Sequence, residues 1–103
     1  MATGILGQAA PVAATLTTVY TVPATKVGTF NVSIANRTGV TISVRLAIAA
    51  TATPTTSEYI EYDTVIPGNG VLERGGLVAN AAENVVVYAS LAGLSVSVYG
   101  YEE

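Results

Sequence analysis

Beyond residue 14, apolar and polar residues alternate with period two along much of the chain. The clearest case lies between Val27 and Ile48. A first run sets Phe30, Val32 and Ile34 against Thr29, Asn31 and Ser33. A second sets Val40, Ile42, Val44, Leu46 and Ile48 against Thr41, Ser43, Arg45 and Ala47. Strand side chains point alternately to opposite faces, so each run has one apolar and one polar face. Between them stands Asn36-Arg37-Thr38-Gly39, whose Asn and Gly tolerate the positive φ of a hairpin turn. The pattern predicts a half-buried antiparallel hairpin. Its polar face, Thr29, Asn31 and Ser33 beside Thr41, Ser43 and Arg45, carries one charge across two strands and is a candidate contact surface.

The same reading predicts a first strand over Thr15–Val22, closed by Pro23, and later strands over Glu58–Ile66, Val71–Val78, Val85–Leu91 and Leu94–Tyr101. Pro67-Gly68-Asn69-Gly70 is a strong turn signal, and Gly75-Gly76 marks a bulge or a close backbone approach. Val85–Leu91 is almost continuously apolar, as in a central strand covered on both faces. Ala49–Ser57, with Pro54, reads as a loop with room for one helical turn. No segment keeps a helical period.

Seven to eight strands predict an all-β antiparallel sandwich, jelly-roll-like or immunoglobulin-like. A closed barrel is the alternative. The domain spans residues 15–103. Residues 1–14 lack clean alternation and predict an extended N-terminal arm, with a disordered terminus as the alternative. On such an arm Ile5, Leu6 and Val12 would meet a neighbouring subunit rather than water.

Composition sharpens this picture. The 103 residues suit one domain with a single core. Only 11% are charged, against about 25% in an average soluble domain. A surface built of Thr, Ser, Asn, Ala and Gly resists association poorly, which favours burial against copies of itself or a larger assembly. The net charge of −3 and four dispersed basic residues argue against nucleic acid as partner. The first 25 residues are uncharged but carry neither a basic start nor an unbroken apolar core, so neither a signal peptide nor a membrane span is expected.

The chain has no Cys, His or Trp. Ser–His and Cys–His catalysis and thiolate metal sites are thereby excluded. No cofactor motif is present. Glu61 and Asp63 would share a strand face roughly 7 Å apart, but no cleft-forming length or calcium-loop pattern accompanies them, so a solvated or interface face is expected. Asn31-Val32-Ser33 matches a glycosylation triplet that has no meaning without secretion. Tyr59, Tyr62, Tyr88, Tyr99 and Tyr101 crowd the C-terminal half. Tyr99 and Tyr101 share a face and suit an interface or a sugar-stacking platform.

Leu16–Ala24 (LTTVYTVPA), Val32–Arg37, Glu58–Asp63, Ile66–Arg74 (IPGNGVLER) and Val85–Ser90 together resemble small structural proteins of tailed bacteriophages. The resemblance implies a non-enzymatic virion component made in the host cytoplasm and multiplied by symmetry. Its implied partners are itself, as a trimer or other homo-oligomer, and virion proteins such as the major capsid protein or tail proteins. Capsid decoration (cement) is the favoured role. A tail, neck or baseplate accessory, or a carbohydrate-binding module for host attachment, are the alternatives.

Overall fold

The computed structural model describes residues 3–103. Eight strands form two four-stranded antiparallel sheets. They are β1 (Thr3–Ala9), β2 (Thr17–Thr21), β3 (Gly28–Asn36), β4 (Ile42–Ala49), β5 (Tyr59–Ile66), β6 (Val71–Ala79), β7 (Asn84–Ala89) and β8 (Leu94–Glu102). The first sheet has the order β1-β8-β3-β6 and the second β2-β7-β4-β5. A single 3-10 turn, Thr56–Glu58, sits in the loop before β5.

The strand order has a simple origin. The first strand pairs with the last, β2 with β7, β3 with β6 and β4 with β5. The chain is thus one long antiparallel ribbon with its tip at β4–β5. The pairs β3·β8 and β4·β7 wrap that ribbon into a sandwich. This is the jelly-roll order; of the two sandwich types expected, the immunoglobulin-like one does not apply.

Two expectations are corrected here. The Val27–Ile48 segment is not a hairpin, because β3 and β4 lie in different sheets. Their apolar faces look at each other across the core: Phe30, Val32 and Ile34 from one side, Ile42, Val44 and Leu46 from the other, all at most 1% exposed. Facing strands from the two sheets bury their apolar stripes against each other. Neither Asn36 nor Gly39 takes a positive φ. Asn36 instead works through its buried side chain. Its amide nitrogen donates to the carbonyls of Val40 (2.7 Å), Ile66 (3.2 Å) and Pro67 (3.2 Å). Its oxygen accepts from the Thr38 N–H and hydroxyl. One amide therefore ties the β3–β4 crossing to the β5–β6 crossing.

The second correction concerns the N-terminus. Thr3–Ala9 is extended, but it is strand β1, paired from Thr3↔Tyr101 to Ala9↔Val96. Leu6 packs on the protein's own core. Gly7 lies so close to β2 that a Cβ there would fall 2.3 Å from the Val19 carbonyl oxygen. Absence of alternation was a poor guide because Gly4 (φ 100°) and an extra residue between Ile5 and Gly7 interrupt the pleat.

The irregularities follow a rule. In β1 the extra residue falls between Ile5 and Gly7, and in β2 between Thr18 and Tyr20. In β6, Gly75 and Gly76 together oppose Asn31, with Gly76 at φ 69°. In β5, Tyr62 and Asp63 together oppose Arg45, and Ile60 is a further extra residue. These four are the edge strands, while the inner pairs β3·β8 and β4·β7 run without interruption. Bulged edges twist away from a template geometry and discourage strand addition. Association through sheet faces remains open to this fold.

Polar pairs fasten the sheets to one another on both flanks. On one, the Tyr20 hydroxyl of β2 donates to the Glu102 carboxylate of β8 at 2.5 Å. On the other, Arg74 of β6 donates to Glu61 of β5, which also accepts from the Thr64 hydroxyl. Burial first, and then the Glu102 contact, push the Tyr20 phenol well above its ordinary value of 10.0. The unfolded chain therefore loses this proton before the folded one does. The resulting stability is whole below about pH 10 and declines above it, by about 1.4 kcal/mol per pH unit while Tyr20 alone is responsible. Replacing Tyr20 by Phe is expected to remove that alkaline component. It should also lower stability near neutrality by about 1–3 kcal/mol, since Glu102 keeps a buried charge without its donor. Denaturant melts from pH 7 to 11 would read both effects.

Candidate functional site

Two outward faces remain once the core is assembled. On the first sheet, cross-strand register arranges outward residues in ranks. One runs Thr3, Tyr101, Thr29, Val78. The next runs Ile5, Tyr99, Asn31 and the Gly75-Gly76 bulge, followed by Gln8, Ser97, Ser33, Glu73 and then Ser95, Ala35, Val71. Ile5 is 58% exposed, and Val71 and Val78 are 56% exposed each. Glu73 is the one charge at these paired outward positions. A shallow depression of about 230 Å³ opens at the bulge, lined by Asn31, Glu73, Arg74, Gly75 and Tyr99. There the Asn31 side-chain oxygen accepts from the Gly76 N–H at 3.2 Å.

Six of the residues singled out from sequence meet on this face: Ile5, Thr29, Asn31, Ser33, Tyr99 and Tyr101. The others do not. Leu6 turns to the core, and Val12 is exposed in the loop after β1. Thr41 precedes β4 and is exposed, while Ser43 and Arg45 lie on the outer face of the other sheet. The composite polar face of Thr29, Asn31 and Ser33 with Thr41, Ser43 and Arg45 therefore does not form. It rested on the hairpin, and the sheet crossing separates its halves.

The outer face of the second sheet has a different chemistry. Arg45 stands opposite Tyr88 on β7 and the Tyr62–Asp63 bulge on β5. Its guanidinium grips Asp63 with both arms, Nε–Oδ1 at 2.7 Å and Nη2–Oδ2 at 3.3 Å. It also lies over the rings of Tyr62 (4.2 Å) and Tyr88 (4.9 Å). The hydrogen bond from Arg45 holds the Asp63 carboxyl below its usual range, and Asp63 in turn raises Arg45. Tyr59 meets Tyr62 edge to face, with centroids 5.0 Å apart and planes at 84°. Together with Pro54 and Thr56 these two rings line an open cleft of about 340 Å³. Glu58 pins the loop carrying Pro54 and Thr56, accepting from the N–H groups of Thr55 (2.7 Å) and Ala50 (3.0 Å). Those same donors hold its carboxyl below the ordinary range.

Comparison with protein-family models, with curated proteins and with solved structures found no match. The site is therefore read from its own geometry.

Glu61 and Asp63 do not form the pair expected of them. The bulge turns Asp63 to the outer face, while Glu61 faces the Arg74 of the other sheet. A hydrogen bond from Thr64, then the hydrogen bond and charge of Arg74, hold Glu61 below the usual carboxylate range. Among the described residues, no three acidic side chains gather in a metal-binding group, and no helix is long and apolar enough to cross a membrane. The aromatic cleft was not legible in the sequence. The tyrosines were visible, but their convergence depends on two extra residues in β5 and on a loop folded back over the sheet. Tyr59 and Tyr62 at a spacing of three do not share a face of a regular strand.

Proposed function

We propose that this protein is a non-enzymatic structural component of a virus particle, a capsid decoration (cement) protein of the tailed-bacteriophage type. The observation that carries the reading is the outer face of the β1-β8-β3-β6 sheet. Across four strands its paired outward positions offer apolar and neutral hydrogen-bonding side chains with Glu73 as their single charge, and Arg74 reaches only the depression at the bulge. A free monomer gains nothing from such a face, whereas a flat neutral surface with Tyr and aliphatic groups suits the core of a protein–protein contact. Bulges on all four edge strands discourage association through the edges, which supports a contact made through a sheet face. Jelly rolls build virus shells and lectins alike, an analogy of fold that lends the reading support without supplying a function.

The partners on this reading are further copies of the chain and the shell proteins beneath them. Purified protein should be oligomeric at micromolar concentration by light scattering, and electron microscopy of purified particles should place it on their surface. The double variant Val78→Lys with Tyr101→Lys puts two positive charges into one rank of the face. It should leave the circular dichroism spectrum unchanged while dissociating the oligomer and releasing the protein from particles. A monomeric wild-type protein absent from purified particles would overturn the proposal.

A further inference from the structure

We propose that the cleft between the β4–β5 loop and the Tyr59–Tyr62 pair binds one pyranose ring of a glycan. The site lies on the outer face of the second sheet, on the opposite side of the sandwich from the face assigned above. It does not depend on that assignment.

Size comes first. About 340 Å³ is at the small end of ligand pockets, which span about 300–1,000 Å³. Such a cleft takes one ring-sized group and leaves the rest of a ligand in solvent. Its lining selects the chemistry. Pro54, Thr56, Tyr59 and Tyr62 present apolar ring surfaces and three hydroxyls, and none of the four carries a charge at neutral pH. A sugar ring matches both properties, with C–H groups to lie against an aromatic face and hydroxyls to exchange hydrogen bonds at its rim. A phosphate or carboxylate would find no unpaired cation, because Arg45 beside the cleft is already forked to Asp63.

The site is also preformed. Tyr62 is held by Tyr59 at one contact and by the Arg45 guanidinium at another, and Arg45 is itself fixed by Asp63 and Tyr88. Glu58 locks the opposite wall through two backbone N–H groups. A ligand entering here meets side chains that have already lost their freedom, which removes much of the usual cost of ordering a site. The β5 bulge has the same consequence, since it sets Tyr62 and Asp63 together opposite Arg45.

A proline-rich peptide is the rival occupant, because such peptides also dock on Tyr and Pro. They lie along extended grooves, however, and this cleft is short and lined by four residues.

The test uses the full chain labelled with nitrogen-15. It is titrated with methyl glycosides of common hexoses and N-acetylhexosamines, and separately with a proline-rich decapeptide. A glycoside should cause saturable shifts at Thr56, Tyr59 and Tyr62 with millimolar affinity. Tyr62→Ala should weaken binding about tenfold by removing a stacking surface. Tyr59→Phe, which keeps the ring and removes one of the three hydroxyls, should weaken binding several-fold. Tyr101→Ala, on the other face, should bind unchanged. Four outcomes would overturn the proposal: no saturable shift with any glycoside, shifts centred on Tyr99 and Tyr101, undiminished binding by a folded Tyr62→Ala variant, or occupation of the cleft by the peptide alone.

Discussion

Removing residues 1–14 is expected to lower the melting temperature by about 20 °C or more. The deletion strips β1 from the edge of the first sheet, which leaves β8 without one of its two neighbours. It also takes Leu6 from the core margin and the Ala14 N–H from its bond to the Ala89 carbonyl (2.8 Å). The deleted residues no longer have to be ordered, which offsets part of the loss. What remains is apolar surface on β8 and β2 newly open to water and a ladder of six register positions unpaired. At about 1 kcal/mol per net hydrogen bond, plus part of the 1.5–3 kcal/mol that full burial of a Leu contributes because Leu6 is only partly buried, a cost on the order of 4 kcal/mol follows. That is a large part of the 5–15 kcal/mol that holds a typical domain together. A domain of this size shifts by about 4–8 °C per kcal/mol. A free arm would behave in the opposite way, leaving the melting temperature of the truncated chain where it was. Differential scanning calorimetry on the two chains separates the cases.

The inward half of the fold was legible in the sequence, and the reason is local. Phe30, Val32 and Ile34, then Ile42, Val44 and Leu46, and later Leu94, Val96 and Val98 keep strict alternation because their strands are free of bulges. The apolar run from Val85 was rightly read as a central strand: β7 lies between β2 and β4, and even the outward Val86 is buried. The Gly75-Gly76 bulge and the helical turn near Pro54 were also readable, since each depends on residues within a few positions.

Pairing was not legible. A turn such as Asn36–Gly39 is built from the same residues whether it returns a strand to its own sheet or carries it across to the other. What decides is which distant strand arrives, here β8 between β1 and β3, and no local pattern contains that. Edge strands were misread for a related reason. One extra residue reverses which face every later side chain occupies, so Glu61 and Asp63 part company in β5. The same interruptions that hid β1 from the periodicity protect the edges from unwanted pairing.

These two failures bear directly on function. The neutral face expected from the sequence joined strands that lie in different sheets. Its real members come from β1, β3, β6 and β8, which meet only because the ribbon folds back on itself. Arg45, once counted with that surface, belongs to an aromatic cluster on the far side. The molecule thus has two unlike faces, one flat and neutral, one with a built cleft. A particle-bound protein standing on the first would display the second to solution.

The replacement of Asn36 by Ala should cost about 3 kcal/mol. Asn36 is 3% exposed and its amide satisfies three carbonyls, those of Val40, Ile66 and Pro67. Alanine leaves the Pro67 carbonyl its bond from the Gly70 N–H (2.9 Å), but the Ile66 carbonyl loses its side-chain donor and the Thr38 N–H its acceptor at the end of a closed sandwich. Each buried polar group left without a partner costs about 1–3 kcal/mol, and partial hydration of the exposed Val40 side reduces the sum. Thr38→Ala loses contacts at the exposed rim and should cost no more than about 1 kcal/mol. Asn36→Asp distinguishes donation from mere occupancy of space. An aspartate still accepts from Thr38 but turns a negative charge toward three carbonyl oxygens, so its folded-state pKa must rise above the unfolded value. With the folded pKa raised, the variant is most stable below the unfolded pKa of about 4 and loses stability as pH climbs through the folded value. Denaturant melts of the three variants at acid and neutral pH should show Asn36→Asp recovering toward the parent only in acid, with Asn36→Ala keeping a constant deficit relative to the parent. An Asn36→Asp protein as stable as the parent at neutral pH would mean that the amide donors do not hold the two crossings together.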